Sequence, residues 1–82
     1  MIQEHSSAEH VNLRGVIASK NDEKGFGFIT PDGKESTKQN NLFFFGGELE
    51  GLSFADLKVG EAVIFEEIPS KRGPRAIGIK RA

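Results

Sequence analysis

The 82-residue sequence predicts a small all-β domain, a barrel or sandwich of five short strands. Three observations predict it. Ten glycines and three prolines cut the chain into pieces too short for long helices. β-Branched and aromatic residues gather in short runs between those breaks. Two of the runs alternate in character with the period of two that a strand imposes.

The elements follow in order. "LRGVIASKN" (13–21) is β-branched in its first half and ends in polar turn residues. "KGFGFIT" (24–30) alternates glycine with apolar residues and closes on the turn signal "PDG" (31–33). "KESTKQNN" (34–41) is a polar loop with Lys34 and Lys38 near its tip, and "LFFF" (42–45) is a strand bounded by Gly46 and Gly47. "ELEGLSFADLKVG" (48–60) reads as a long loop with room for about one helical turn, because Gly51 and Gly60 interrupt it. "EAVIFEEI" (61–68) is a strand with Val63 and Phe65 on one face. "KRGP" (71–74) turns the chain into a last strand, "RAIGIK" (75–80). Residues 1–12 read as a mobile tail ahead of a domain at 13–82.

Side-chain alternation sorts the phenylalanines. In "KGFGFI", Lys24, Phe26 and Phe28 share one face, and Gly25, Gly27 and Ile29 the other. Glycines inside a strand suit the inner wall of a tight barrel, which puts Phe26 and Phe28 outside. By the same logic Leu42 and Phe44 point inward, and Phe43 and Phe45 outward. If the two strands are neighbours, four phenylalanines gather on one surface, and an exposed apolar patch of that size marks a binding site. Rings flanked by lysines suit single-stranded nucleic acid, whose bases stack while cations meet the phosphates. The alternative is that a second sheet or the 46–60 loop covers these rings as core.

Composition removes other classes. The absence of cysteine excludes disulfide scaffolds, thiol catalysis and Cys-ligated zinc, and suits a reducing cytoplasm. No apolar run is long enough for a membrane helix, and "MIQEHSSAEHVN" lacks the features of a secretory signal. The net charge of −1 gives no overall attraction to a polyanion, so the 11 lysines and arginines must be unevenly arranged to bind one. His5 and His10 lack a third metal ligand, and "GFGF" lacks the spacing of a phosphate-binding loop. Glu66 and Glu67 are adjacent and face opposite ways, so they are not a catalytic pair. No cofactor, metal or active site is expected.

"KGFGFI" resembles the first ribonucleoprotein motif of RNA recognition motifs and of cold-shock domains. Here "LFFF" follows that motif and no amphipathic helices are present, an order that fits the cold-shock domain. The resemblance continues through "LKVGEAVIFE" and "KRGPRAIGI" and covers roughly residues 13–80. It implies a five-stranded antiparallel OB-like barrel that binds single-stranded RNA or DNA, acts as an RNA chaperone or regulator, and is no enzyme. Lys24, Phe26 and Phe28 match the first motif, and Leu42, Phe43 and Phe44 the second. Phe54 resembles the family's loop phenylalanine, Asn21 and Lys24 the residues near the nucleotide path, and Lys71 and Arg72 the basic last turn. With Lys20 and Phe45 added, the expected interface is Lys20, Asn21, Lys24, Phe26, Phe28, Phe43, Phe45, Phe54, Lys71 and Arg72. The expected partner is a single strand, with no membrane and no small-molecule substrate; a monomer is expected, with a dimer left open.

The chain departs from the family in two places. Ala18, Ser19 and Lys20 stand where the family carries Lys-Trp-Phe, and Phe45 and Gly46 stand where it carries histidine and an aromatic residue. At about 1–3 kcal/mol per stacked base, two missing rings weaken binding by one to several orders of magnitude. A rival reading therefore stays open: a diverged barrel whose aromatic face binds another protein or a second copy of itself.

Overall fold

The computed structural model describes residues 12–82; of the expected 1–12 tail, all but Asn12 lies outside the described residues, as do His5 and His10. Five strands close into a barrel: β1 (Leu13–Asn21), β2 (Phe26–Pro31), β3 (Leu42–Phe45), β4 (Ala62–Ile68) and β5 (Arg75–Arg81). Their order around the barrel is β1-β2-β3-β5-β4. All pairings are antiparallel except β3–β5, which is parallel through Phe43 and Arg75. The antiparallel expectation thus fails at the closing edge. Successive reversals leave β1, β3 and β5 running the same way, so the edge that joins β3 to β5 must be parallel.

The interior is apolar and filled from every strand. Ile17, Ile29, Leu42, Phe44, Val63, Phe65, Ala76 and Ile79 are buried, with Leu57 supplied by the 46–60 segment. Gly27 sits opposite Phe44 in the β2–β3 register. A Cβ on Gly27 would lie 2.8 Å from the Phe44 ring and 2.6 Å from the Ser19 carbonyl oxygen. The large ring occupies the space that the glycine leaves open. That exchange allows a barrel this narrow to hold phenylalanines in its core.

Three boundaries differ from the sequence reading. β1 keeps its polar end in the sheet: after a bulge between Ile17 and Ser19, residues Ser19, Lys20 and Asn21 pair with Phe28, Gly27 and Phe26. Ladder hydrogen bonds form whatever the side chain, so polar composition did not end the strand. β2 starts at Phe26, two residues later than expected, because Gly25 takes a φ of 73° and closes a turn whose N–H donates to the Asn21 carbonyl at 2.8 Å. Lys24 therefore leaves the strand and does not share a face with Phe26 and Phe28. The 46–60 segment holds two short 3-10 turns, Gly46–Glu48 and Phe54–Asp56, in place of one helical turn.

The 34–41 loop folds against its own polar groups. The Thr30 hydroxyl donates to Asn41 Oδ1 at 2.8 Å, and the Asn40 amide donates to the Glu35 carbonyl at 3.1 Å. Lys34 and Lys38 are exposed on it. Among the described residues, no helix is long and apolar enough to cross a membrane.

Candidate nucleic-acid interface

β2 and β3 pair so that Phe26 faces Phe45 and Phe28 faces Phe43, while Gly27–Phe44 and Ile29–Leu42 form the intervening inward pairs. The outer faces of two strands thus bring four rings together. Phe43 lies at the centre, with ring centroids 5.4 Å from Phe26, 5.7 Å from Phe28 and 4.6 Å from Phe45. The Phe43–Phe45 and Phe28–Phe43 pairs meet edge to face, the arrangement that the ring quadrupole favours. Phe26, Phe28 and Phe43 are half-buried, and Phe45 is 48% exposed.

The rings form one wall of an open groove of about 900 Å³, and the segment Ile68–Arg75 forms the other. That second wall is a turn closed by the Gly73 N–H donating to the Ser70 carbonyl at 3.0 Å. It contributes Lys71, Arg72 and Arg75, and no carboxylate lines the groove. The cations of Arg14, Lys20, Lys80 and Arg81 are paired with Asp32, Asp22, Glu50 and Glu61. The three groove cations have no acidic partner among the described residues. A chain of net charge −1 therefore places three cations with no acidic partner among the described residues beside its rings.

The expected site residues divide into two groups. Phe26, Phe28, Phe43, Phe45, Lys71 and Arg72 line the groove together. The others lie around the end of β1. The Lys20 side chain is 12% exposed, and its ammonium lies 4.9 Å from the Phe54 ring centre, donates to the Phe54 carbonyl at 2.8 Å and pairs with Asp22 at 3.1 Å. It is held by three protein groups. The Phe54 ring is half-buried and packs on Phe44, with centroids 6.2 Å apart. Asn21 accepts the Lys24 N–H through Oδ1 at 3.0 Å, which fixes the turn on which Lys24 is exposed. The aromatic face ends at β1, where exposed Ser19 pairs with Phe28 and adds no ring.

Sequence reasoning missed Arg75. Its guanidinium carbon lies 5.7 Å from the Phe45 ring centre, and its backbone is the parallel partner of Phe43. The signal was the second arginine in "KRGPR", but only the closing register carries that residue to the rings. Ile68, Pro69 and Pro74 complete the apolar part of the same wall.

Comparison with known proteins gives a consistent result. The family model described as "'Cold-shock' DNA-binding domain" matches residues 13–82. The chain is 34% identical over 67 residues to "Probable cold shock protein A" of Mycolicibacterium smegmatis, covering 82% of this chain and 94% of that protein. It is 37% identical over 62 residues to "Cold shock-like protein CspLB" of Listeria monocytogenes, covering 76% and 86%. The solved structure "drosophila Unr CSD456" superposes with a TM-score of 0.71 at 24% identity, covering 100% of this chain and 31% of that one, a likeness of fold.

Proposed function

This chain belongs to the cold-shock domain family, whose members generally bind nucleic acid, and on that premise we propose that it holds single-stranded RNA or DNA along its aromatic groove. One observation carries the reading: four outward phenylalanines form a contiguous face walled by three cations and no acid. Successive bases stack on Phe26, Phe28, Phe43 and Phe45, each stacked base contributing about 1–3 kcal/mol. Lys71 and Arg72, exposed on the facing turn, meet the phosphates, and Lys24 extends the positive edge. Bases held on rings cannot pair, so the protein keeps strands open in the manner of an RNA chaperone. This is equilibrium binding in the cytoplasm, without hydrolysis.

The test is a titration with short T-rich or U-rich single strands at several salt concentrations, followed by backbone NMR shifts. The expected result is salt-sensitive shifts centred on Phe26, Phe28 and Phe43, and a Phe43→Ala variant about 5- to 150-fold weaker in binding. An absence of shifts at high strand concentration, together with sedimentation as a dimer, would transfer the face to self-association.

A further inference from the structure

We infer that Arg75 makes this groove prefer guanine, by reading the O6/N7 edge of a base stacked at its Phe43–Phe45 end. The inference rests on the single-strand reading above and adds a base identity to it. Three features of the structure lead there.

The first is position. Arg75 is the parallel partner of Phe43, and its guanidinium carbon lies over the Phe45 ring, 5.7 Å from its centre, and not out at the turn tip. Lys71 and Arg72 are exposed, whereas Arg75 is half-buried. A base on the rings at this end therefore has its edge, and not its phosphate, against Arg75. The second is availability. The guanidinium carries N–H donors in a rigid planar fork, and none has an acceptor among the described residues. The third is division of labour. Phe45 supplies a ring but neither donor nor acceptor, so directional contact here falls to Arg75.

Base chemistry then selects. Guanine offers two neighbouring acceptors, O6 and N7, which match the arginine fork. Adenine sets an N6 donor beside N7, and thymine and uracil flank O4 with a donor or a carbon; neither accepts both prongs. Cytosine presents O2 and N3 side by side but has a smaller ring to stack, so it ranks second.

The experiment measures affinities of the full 82-residue protein for short fluorescein-labelled strands by anisotropy. The strands are all-thymidine, or carry one guanosine, cytidine, adenosine or 7-deazaguanosine at successive positions. The expected result is at least about fivefold tighter binding with guanosine at one position than with thymidine, with cytidine between. 7-Deazaguanosine, which lacks N7, loses most of that advantage without any change to the protein. Arg75→Gln, which lacks the guanidinium fork, brings the guanosine-to-thymidine ratio to about one whatever it does to overall affinity. Equal binding of all strands by the wild type, or a ratio that survives Arg75→Gln, overturns the inference and leaves the single-strand reading standing. Failure to bind any strand overturns both.

Discussion

Two cations in this barrel each lie over a phenylalanine ring, Lys20 at 4.9 Å from Phe54 and Arg75 at 5.7 Å from Phe45. Their chemistry is similar and their roles differ. Lys20 is nearly buried and its charge is satisfied by a carbonyl and a carboxylate, so it ties the 46–60 segment to the end of β1. Arg75 has a ring beneath it and no acceptor among the described residues, so its donors are open to a ligand. A cation over an aromatic ring does not by itself mark a site. What distinguishes the two corners is how much hydrogen-bonding capacity the fold has already used.

The comparison can be broken at the Lys20 corner first, where effects on stability are largest. Gly27 is the register partner of Lys20, and a Cβ there meets the Ser19 backbone oxygen at 2.6 Å. Gly27→Ala should cost about 3 kcal/mol, the top of the usual overpacking range, and denaturant unfolding would measure it. Lys20→Ala comes next. Losing a charged hydrogen bond and a ring contact should cost about 1–2 kcal/mol and lower the melting temperature by roughly 5–15 °C. The salt dependence of strand binding should stay as in the wild type; a flattened dependence would mean that Lys20 serves the ligand after all.

Smaller changes sharpen the other corner. Arg72→Ala and Lys71→Ala should leave unfolding within about 0.5 kcal/mol of wild type, as exposed positions do. Each should flatten the slope of log affinity against log salt by about 0.7, the value for one phosphate contact on a single strand. The smallest effect belongs to a pair away from both corners. The Arg81 guanidinium, bonded to Glu61, holds that carboxyl below its usual range, and the Lys58 N–H adds to this. A carboxylate depressed in the folded state contributes stability above its unfolded pKa, and that contribution is lost as pH falls through the folded value. Thermal melts should show a small acid-side loss below about pH 4.5 that Glu61→Gln removes.

Much of this was legible in the residues, and the limits have physical causes. Alternation, together with the glycines opposite Phe26 and Phe28, assigned Gly27 and Phe44 to the inside and Phe43 and Phe45 to the outside, because a strand's pleat follows from local geometry. The same alternation carried Lys24 into the strand, where a single glycine at positive φ ended it. Local pattern places Lys20 among the phosphate contacts and cannot show its bond to the Phe54 carbonyl, which lies 34 residues away. Arg75 was invisible for the same reason: its neighbourhood is made by the parallel β3–β5 pairing, which joins strands distant in sequence. Local periodicity fixes which way a side chain points. Non-local closure decides what it meets.

That parallel edge has a mechanical consequence. The barrel is sealed between β3 and β5 by one paired position, with a further bridge from Leu49 to Ile79. The groove lies across this seam, with rings on one bank and the cationic turn on the other. On the proposed function, a strand bound in the groove would act as a suture over the thinnest join of the shell. Occupancy should slow amide exchange along β3 and β5 before it does so in β1 and β2, so the ligand and the fold close the same gap.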